Sequence, residues 1–153
     1  MNKIKYIILF LLMAVSMGAA AKKTQVSHVY MFGFSASFQD SVVYVTDIQD
    51  LQGAWMDTKT KFLLGRDNYS YQLSNYLTEQ GQPNRVCLVF FSTHKNKAEK
   101  KYLKMKKKYT APPKKTKKDK KKQKSQQQVD TCPYDLRYIS TTDFQFTPVD
   151  MSE

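Results

Sequence analysis

Eight lysines lie between positions 114 and 124: Lys114, Lys115, Lys117, Lys118, Lys120, Lys121, Lys122 and Lys124. Asp119 is the one acid among them, and the stretch holds no aromatic or aliphatic side chain. Such a run attracts phosphate, carboxylate or sulfate polymers by releasing their condensed counterions, with little sequence discrimination and steep salt dependence. Binders that stack bases interleave aromatics with the charge, so no specific nucleic-acid partner is expected. The competing reading is a solvated loop whose lysines only keep the chain soluble.

The next candidates for chemistry are Cys87 and Cys132, the only cysteines. In an oxidising compartment they can pair, closing a loop of 132 − 87 = 45 residues and stabilising the fold by on the order of 4 kcal/mol in the chain-entropy picture. Strands around 86–91 and 134–139 that are parallel neighbours would place both cysteines at one end of the sheet and permit that bond. The alternative is that Cys87 is a small apolar residue inside a buried strand, and both readings stand at this point. No Cys-x-x-Cys occurs, and His28 and His94 are too few for a zinc set, so neither metal nor cofactor is expected.

Gly-rich phosphate loops, nucleophile elbows, zincin helices and calcium loops are all absent from the sequence. Asp47 and Asp50, three residues apart, read as ordinary solvation of a turn. His28 reads as a structural residue, and Cys87 has apolar neighbours that would not stabilise a thiolate. The chain is therefore read as a non-enzyme. Ten tyrosines, nine phenylalanines and Trp55 are assigned to core packing in preference to a carbohydrate platform.

The elements that hold these residues follow from periodicity. Val26–Phe38 and Val42–Ile48 read as two strands joined by a turn at Gln39-Asp40-Ser41. His28, Tyr30, Phe32, Phe34, Ala36 and Phe38 share one face of the first strand, with Val29, Met31 and Gly33 on the other. Apolar groups on both faces mark an interior strand, and Gly33 marks a bulge or a close backbone approach. Asp50–Leu64 reads as a connection with a short strand at Lys61–Leu64. Tyr69, Leu73, Tyr76 and Leu77 form the stripe of a helix capped by Asp67 or Asn68 and ended by Gly81.

Val86–Phe91 is a continuous apolar run, the pattern of a strand buried on both faces. Ala98, Tyr102, Met105 and Tyr109 then make a second helical stripe, placing the lysines between His94 and Tyr109 on that helix's outer side. Pro112-Pro113 stops it. Lys114–Gln128 has nothing apolar to bury and is expected to be disordered. Tyr134–Ile139 and Phe144–Phe146 alternate as strands. The expected fold is α+β: a single small domain with a ββαβαβ-like sheet covered by two amphipathic helices and a disordered Lys/Gln-rich crossover.

Residues 1–21 read as a signal peptide: Lys3 and Lys5 precede a 12-residue apolar run, Tyr6–Met17, and Ala19-Ala20-Ala21 offers a cleavage site. The run is shorter than the roughly 20 residues of a membrane span, and no cysteine near the cut could carry a lipid. Residues 22–109 would then be the main part of the domain, 110–130 the linker and 131–153 the strands completing it. Charge follows this division. Residues 22–94 hold six bases and six acids, residues 95–124 sixteen bases against two acids, and the remainder Arg137 against five acids.

Tyr30-Met31-Phe32-Gly33-Phe34-Ser35, Asp40-Ser41, Tyr44-Val45-Thr46-Asp47-Ile48, Gly65-Arg66, Tyr69-Ser70-Tyr71 and Gln80-Gly81-Gln82-Pro83-Asn84-Arg85 together resemble uncharacterised small secreted proteins of Bacteroidetes bacteria. The resemblance covers about Val29–Phe91 and Tyr134–Val149, and implies export and a shared fold without naming site residues. The expected function is an exported cell-envelope binding protein, periplasmic or secreted, that contacts an anionic polymer through its lysines. An assembly partner of another envelope protein is the alternative, and a small hydrolase or thiol enzyme a more distant one.

Overall fold

The strand that organises the molecule is β2 (Val29–Ala36), because its alternating side chains feed two separate cores. In the computed structural model, which describes residues 22–112 and 132–152, the elements before it and after it are β1 (Lys23–Val26), β3 (Val42–Thr46), β4 (Gln49–Leu51) and β5 (Ala54–Asp57). Helix α1 (Arg66–Glu79), β6 (Val86–Ser92), helix α2 (Lys95–Thr110) and β7 (Asp135–Ile139) complete the α+β fold. The leader expected at 1–21 and the lysines at 114–124 lie outside the described residues.

Strand β2 pairs antiparallel with β6 along one edge and with β3 and then β4 along the other, so it is the interior strand that its two apolar faces predict. Beyond β3 lies β7, in parallel register from Val42↔Asp135 to Thr46↔Ile139. The order across the sheet is thus β6-β2-β3-β7, with β4 following β3 on the same side of β2. Strands β1 and β5 pair as a separate two-stranded sheet next to the β2/β4 pair, where Gly53 takes a φ of 74°. Neither β1 nor β5 is legible in the sequence: Lys23–Val26 is short and polar, and Trp55 and Met56 stand alone among turn residues.

One helix covers each face. Val29 and Met31 pack with Tyr69, Leu73 and Leu77 of α1, while Phe32 and Phe34 pack with Tyr102, Met105 and Tyr109 of α2. Gly33 is the point of closest approach. A Cβ there would stand 2.6 Å from Leu73 Cδ2, and its amide donates to Thr46 Oγ1 at 2.8 Å. Helix α1 begins after Gly65, which sits in the left-handed region with no side-chain cap, so Asp67 acts within the first turn instead of capping it. It ends in a Schellman arrangement, with Gly81 N–H donating to Thr78 O and Gln82 N–H to Leu77 O.

The segment after β7 is buried without being a strand. Phe144 and Phe146 insert beneath α1, and their backbone is satisfied by side-chain amides that act as pieces of backbone. Gln49 donates to Phe144 O (2.9 Å) and accepts from Phe146 N–H (2.8 Å); Gln72 does the same for Thr147 O and N–H. The alternation Phe144/Gln145/Phe146 therefore reports burial correctly while the expected ladder is absent.

Two further expectations are corrected. Strand β6 is not buried along its whole length as its apolar run predicts: it lies at the sheet edge among the described residues, and Val86 and Leu88 remain 48% and 47% exposed. Its apolar run looks doubly buried because Phe90 stacks on Phe32 under α2 and Val89 joins the α1 core, but no strand covers its other edge among the described residues. Strands β6 and β7 are also not neighbours, since β2 and β3 lie between them.

Candidate anion-binding surface

The separation of β6 from β7 decides the cysteines. Three inter-strand steps of about 4.8 Å put the two strands on the order of 14 Å apart. The thiols also belong to opposite faces: Cys87 packs with the α1 core, with Sγ 3.4 Å from Ser35 Oγ, whereas Cys132 donates to Tyr109 O at 2.8 Å, at the end of α2. Both are free, and a disulfide needs Cα atoms within about 7 Å, so of the two readings the packed thiol holds and the bond is not formed. Each is a packed thiol, with no histidine among the partners of either.

Helix α2 is the basic element. Its inner stripe, Ala98, Tyr102, Met105 and Tyr109, rests on Phe32, Phe34, Val43 and Val45, with Tyr102 edge-on to Phe32 at 5.2 Å. This stripe commits the helix to one orientation and turns its eight lysines toward solvent and the helix flanks. Lys106 sits 4.7 Å over the Tyr138 ring, and Lys101 reaches the edge of the sheet to donate to Phe91 O at 2.9 Å. Lys107 and Lys108 in the last turn complement the helix dipole, whereas the first turn has no acid and no side-chain cap.

The segment carrying Lys114, Lys115, Lys117, Lys118, Lys120, Lys121, Lys122 and Lys124 lies outside the described residues, but its flanks are placed. The chain leaves the end of α2 after Thr110 and returns at Cys132, bonded to the Tyr109 carbonyl, with Tyr134 against the Tyr109 ring at 5.0 Å. Both flanks of the lysine run therefore meet at the C-terminal end of a helix that already carries eight lysines.

At the opposite end of α2 a groove of about 660 Å³ opens between the β1/β5 pair, the end of β6 and the first turns of the helix. Lys61, Lys97, Lys101 and His94 line it, together with the rings of Phe62 and Phe91 and the hydroxyls of Thr24, Thr58, Thr60, Ser92 and Thr93. The one carboxylate in the lining, Asp57, serves its own turn: Oδ1 accepts from Lys59 N–H at 2.7 Å and Thr60 N–H at 2.8 Å. The Thr60 amide bond, helped by that of Lys59, holds the Asp57 carboxyl below its ordinary value against the opposing effect of burial. This acid-nucleated turn presents Thr58, Thr60, Lys61 and Phe62 to the groove.

Two arginines rest on aromatic rings, and they differ. Arg85, with 2% of its side chain exposed, lies over Tyr44 and forks onto Asp40 at 2.9 and 3.1 Å while also donating to Val42 O. The Arg85 hydrogen bond depresses the Asp40 carboxyl below the normal range. This pair ties the β2–β3 turn to the start of β6. Arg66 lies over Phe62 and Phe91, 5.0 and 5.5 Å from their centroids, with no hydrogen bond or ion pair among the described residues and with its Nε buried.

His28 bears on the enzyme reading. Its Nδ1 stands 3.0 Å from both oxygens of Asp50, and its ring stacks on Tyr30. Such a pair orients an imidazole as a general base requires, yet no described hydroxyl or thiol bonds its other nitrogen. Among the described residues no three His, Cys, Asp or Glu side chains gather as metal ligands, and no helix is long and apolar enough to cross a membrane.

Sequence reasoning identified the lysines of α2 but missed the groove. Its residues come from three separate segments, 24–26, 56–62 and 91–101. Arg66 and Lys61 register in the sequence only as isolated charges. The pattern Phe62-x-x-x-Arg66 was the one available signal, and it is too common to stand alone. No family model matches the chain, nor does any curated protein or solved structure.

Proposed function

We propose that this chain is an exported, non-enzymatic binding protein of the cell envelope that holds an anionic polymer along the outer side of α2 and the lysine run that follows it. The observation that carries the reading is the orientation of α2. An aromatic stripe pins the inner face, so eight lysines are displayed together, and a further eight leave from the same helix end. Clustered cations that outnumber the acids among them sixteen to two raise the local concentration of polyanions and bind them through counterion release. Export is supported by the sequence of residues 1–21 and by the resemblance to small secreted proteins.

The test is the salt dependence of binding to dextran sulfate, measured on the chain beginning at Lys22. Affinity should fall at least about tenfold between roughly 50 and 200 mM salt. It should weaken further when Lys100, Lys104 and Lys107, all exposed on α2, become glutamine. Binding that ignores salt removes the electrostatic reading.

A second reading is favoured by the exposed edge of β6: an assembly partner adds a strand beside Val86 and Leu88. A proline in place of Leu88 would then abolish complex formation while leaving polyanion binding intact.

A further inference from the structure

We propose that the groove at the C-terminal end of β6 is a subsite for one or two acidic sugar residues, recognised through a carboxylate or sulfate by Lys97 and Lys101 with Arg66 behind them. The inference rests on the reading of the protein as a polyanion binder and names the ligand's chemistry. The contrast between the two ring-backed arginines points to it. Arg85 has its anion inside the fold, in Asp40, and its charge is compensated. Arg66 has the same kind of aromatic support and no anion among the described residues. A guanidinium is a fork of donors matched to a carboxylate or sulfate, and one left uncompensated beside a groove draws such a group.

Its neighbours add to the field. Phe91 carries Arg66 on one side at 5.5 Å and Lys101 at 5.9 Å, so two cations share one ring without an acid between them. Lys101 uses one of its three donors on Phe91 O, and Lys97 and Lys61 complete three lysines in the lining. The single carboxylate, Asp57, is spent on its own turn. The remaining wall mixes the apolar side chains of Val26, Met56, Phe62 and Phe91 with His94 and the hydroxyl residues Thr24, Thr58, Thr60, Ser92 and Thr93. A volume of about 660 Å³ suits a disaccharide-sized unit and exceeds what a lone small anion needs.

A glycan fits this chemistry better than a nucleic acid. Base stacking uses open aromatic faces, and here Arg66 already takes one face of Phe62 and of Phe91, with Lys101 also over Phe91. Five hydroxyl residues and apolar side chains beside the cations instead match a sugar chain, which offers hydroxyls, C–H faces and acids together.

The experiment is titration calorimetry of the chain beginning at Lys22 with trigalacturonate, a trisulfated trisaccharide, neutral maltotriose and a short oligothymidylate, at one fixed salt concentration. Three variants are compared: Lys97→Gln/Lys101→Gln, Arg66→Gln, and one in which the eight lysines from Lys114 to Lys124 are glutamine. The first is exposed at both positions, and its unfolding midpoint checks that it folds. At least one acidic trisaccharide should bind, losing tenfold or more in the first two variants and less than twofold in the third. The carboxylate and sulfate arms decide which acid is preferred. Acidic trisaccharides that bind no better than maltotriose, indifference to Lys97→Gln/Lys101→Gln, or tighter binding of oligothymidylate each overturn the subsite. Dextran sulfate distinguishes the two levels: if it still binds while the trisaccharides do not, the groove alone is wrong, and if neither binds, the wider reading fails as well.

Discussion

The two faces of the sheet are built from the same strand, yet they do different work. On the α1 face, Val29 and Met31 meet a deep core of Tyr69, Leu73, Leu77, Phe144 and Phe146, closed by a C-terminal segment that two glutamine amides hold in place. On the α2 face, four buried residues, Phe32, Phe34, Val43 and Val45, lie beneath a helix with one fully buried side chain, Ala98. The first face spends its contacts on stability. The second holds its helix with a smaller buried set, leaving the rest of that helix free to carry charge.

The comparison breaks most readily at Leu73. Leu73→Ala should lower unfolding free energy by about 3 kcal/mol in urea denaturation, because a fully buried leucine leaves a cavity against Gly33 and Phe146. Tyr102→Ala, on the part-buried stripe of α2, should cost clearly less. An equal or greater loss would mean that the α2 face is the main core. Gln49→Leu comes next, at roughly 2 kcal/mol, since it orphans Phe144 O and Phe146 N–H beneath α1. Gly33→Ala should cost about 1–2 kcal/mol through crowding of Leu73 Cδ2, and combining it with Leu73→Val should recover part of that loss.

Alkaline pH gives a smaller and more even effect. Burial raises the phenol of Tyr69 on one face and that of Tyr102 on the other above the ordinary value of 10.0. In each case the folded state keeps its proton longer than the unfolded chain does. The stabilisation is complete below about pH 10 and is lost as pH rises through the folded values. Spectrophotometric titration should show late-ionising tyrosines that join the normal class on denaturation. The smallest effect belongs to the outer side of α2: glutamine at Lys100, Lys104 and Lys107 should leave the unfolding midpoint essentially unchanged while weakening polyanion binding.

Periodicity made the two helices and the interior strand legible, because each was recorded in a stripe or alternation long enough to be read in place: Tyr69-Leu73-Tyr76-Leu77, Ala98-Tyr102-Met105-Tyr109, and the two apolar faces of Val29–Ala36. The helix that carries the lysines between Lys95 and Lys108 was legible for the same reason. The edge position of β6 was not, since an apolar run records contact with helices and says nothing about whether a strand lies alongside. The short β1/β5 pair escaped because its pairing is non-local and its sequences are brief.

What the sequence by itself determined is which residues must be buried and where the positive charge gathers, since both follow from local composition and spacing. What only the tertiary structure decided is adjacency. It set Cys87 and Cys132 on opposite faces, gave Arg85 a carboxylate while leaving Arg66 with two rings and no anion among the described residues, and built a groove from three distant segments. Strand order is set by which pairings satisfy backbone hydrogen bonds and both faces at once, and that choice has no local record in the chain.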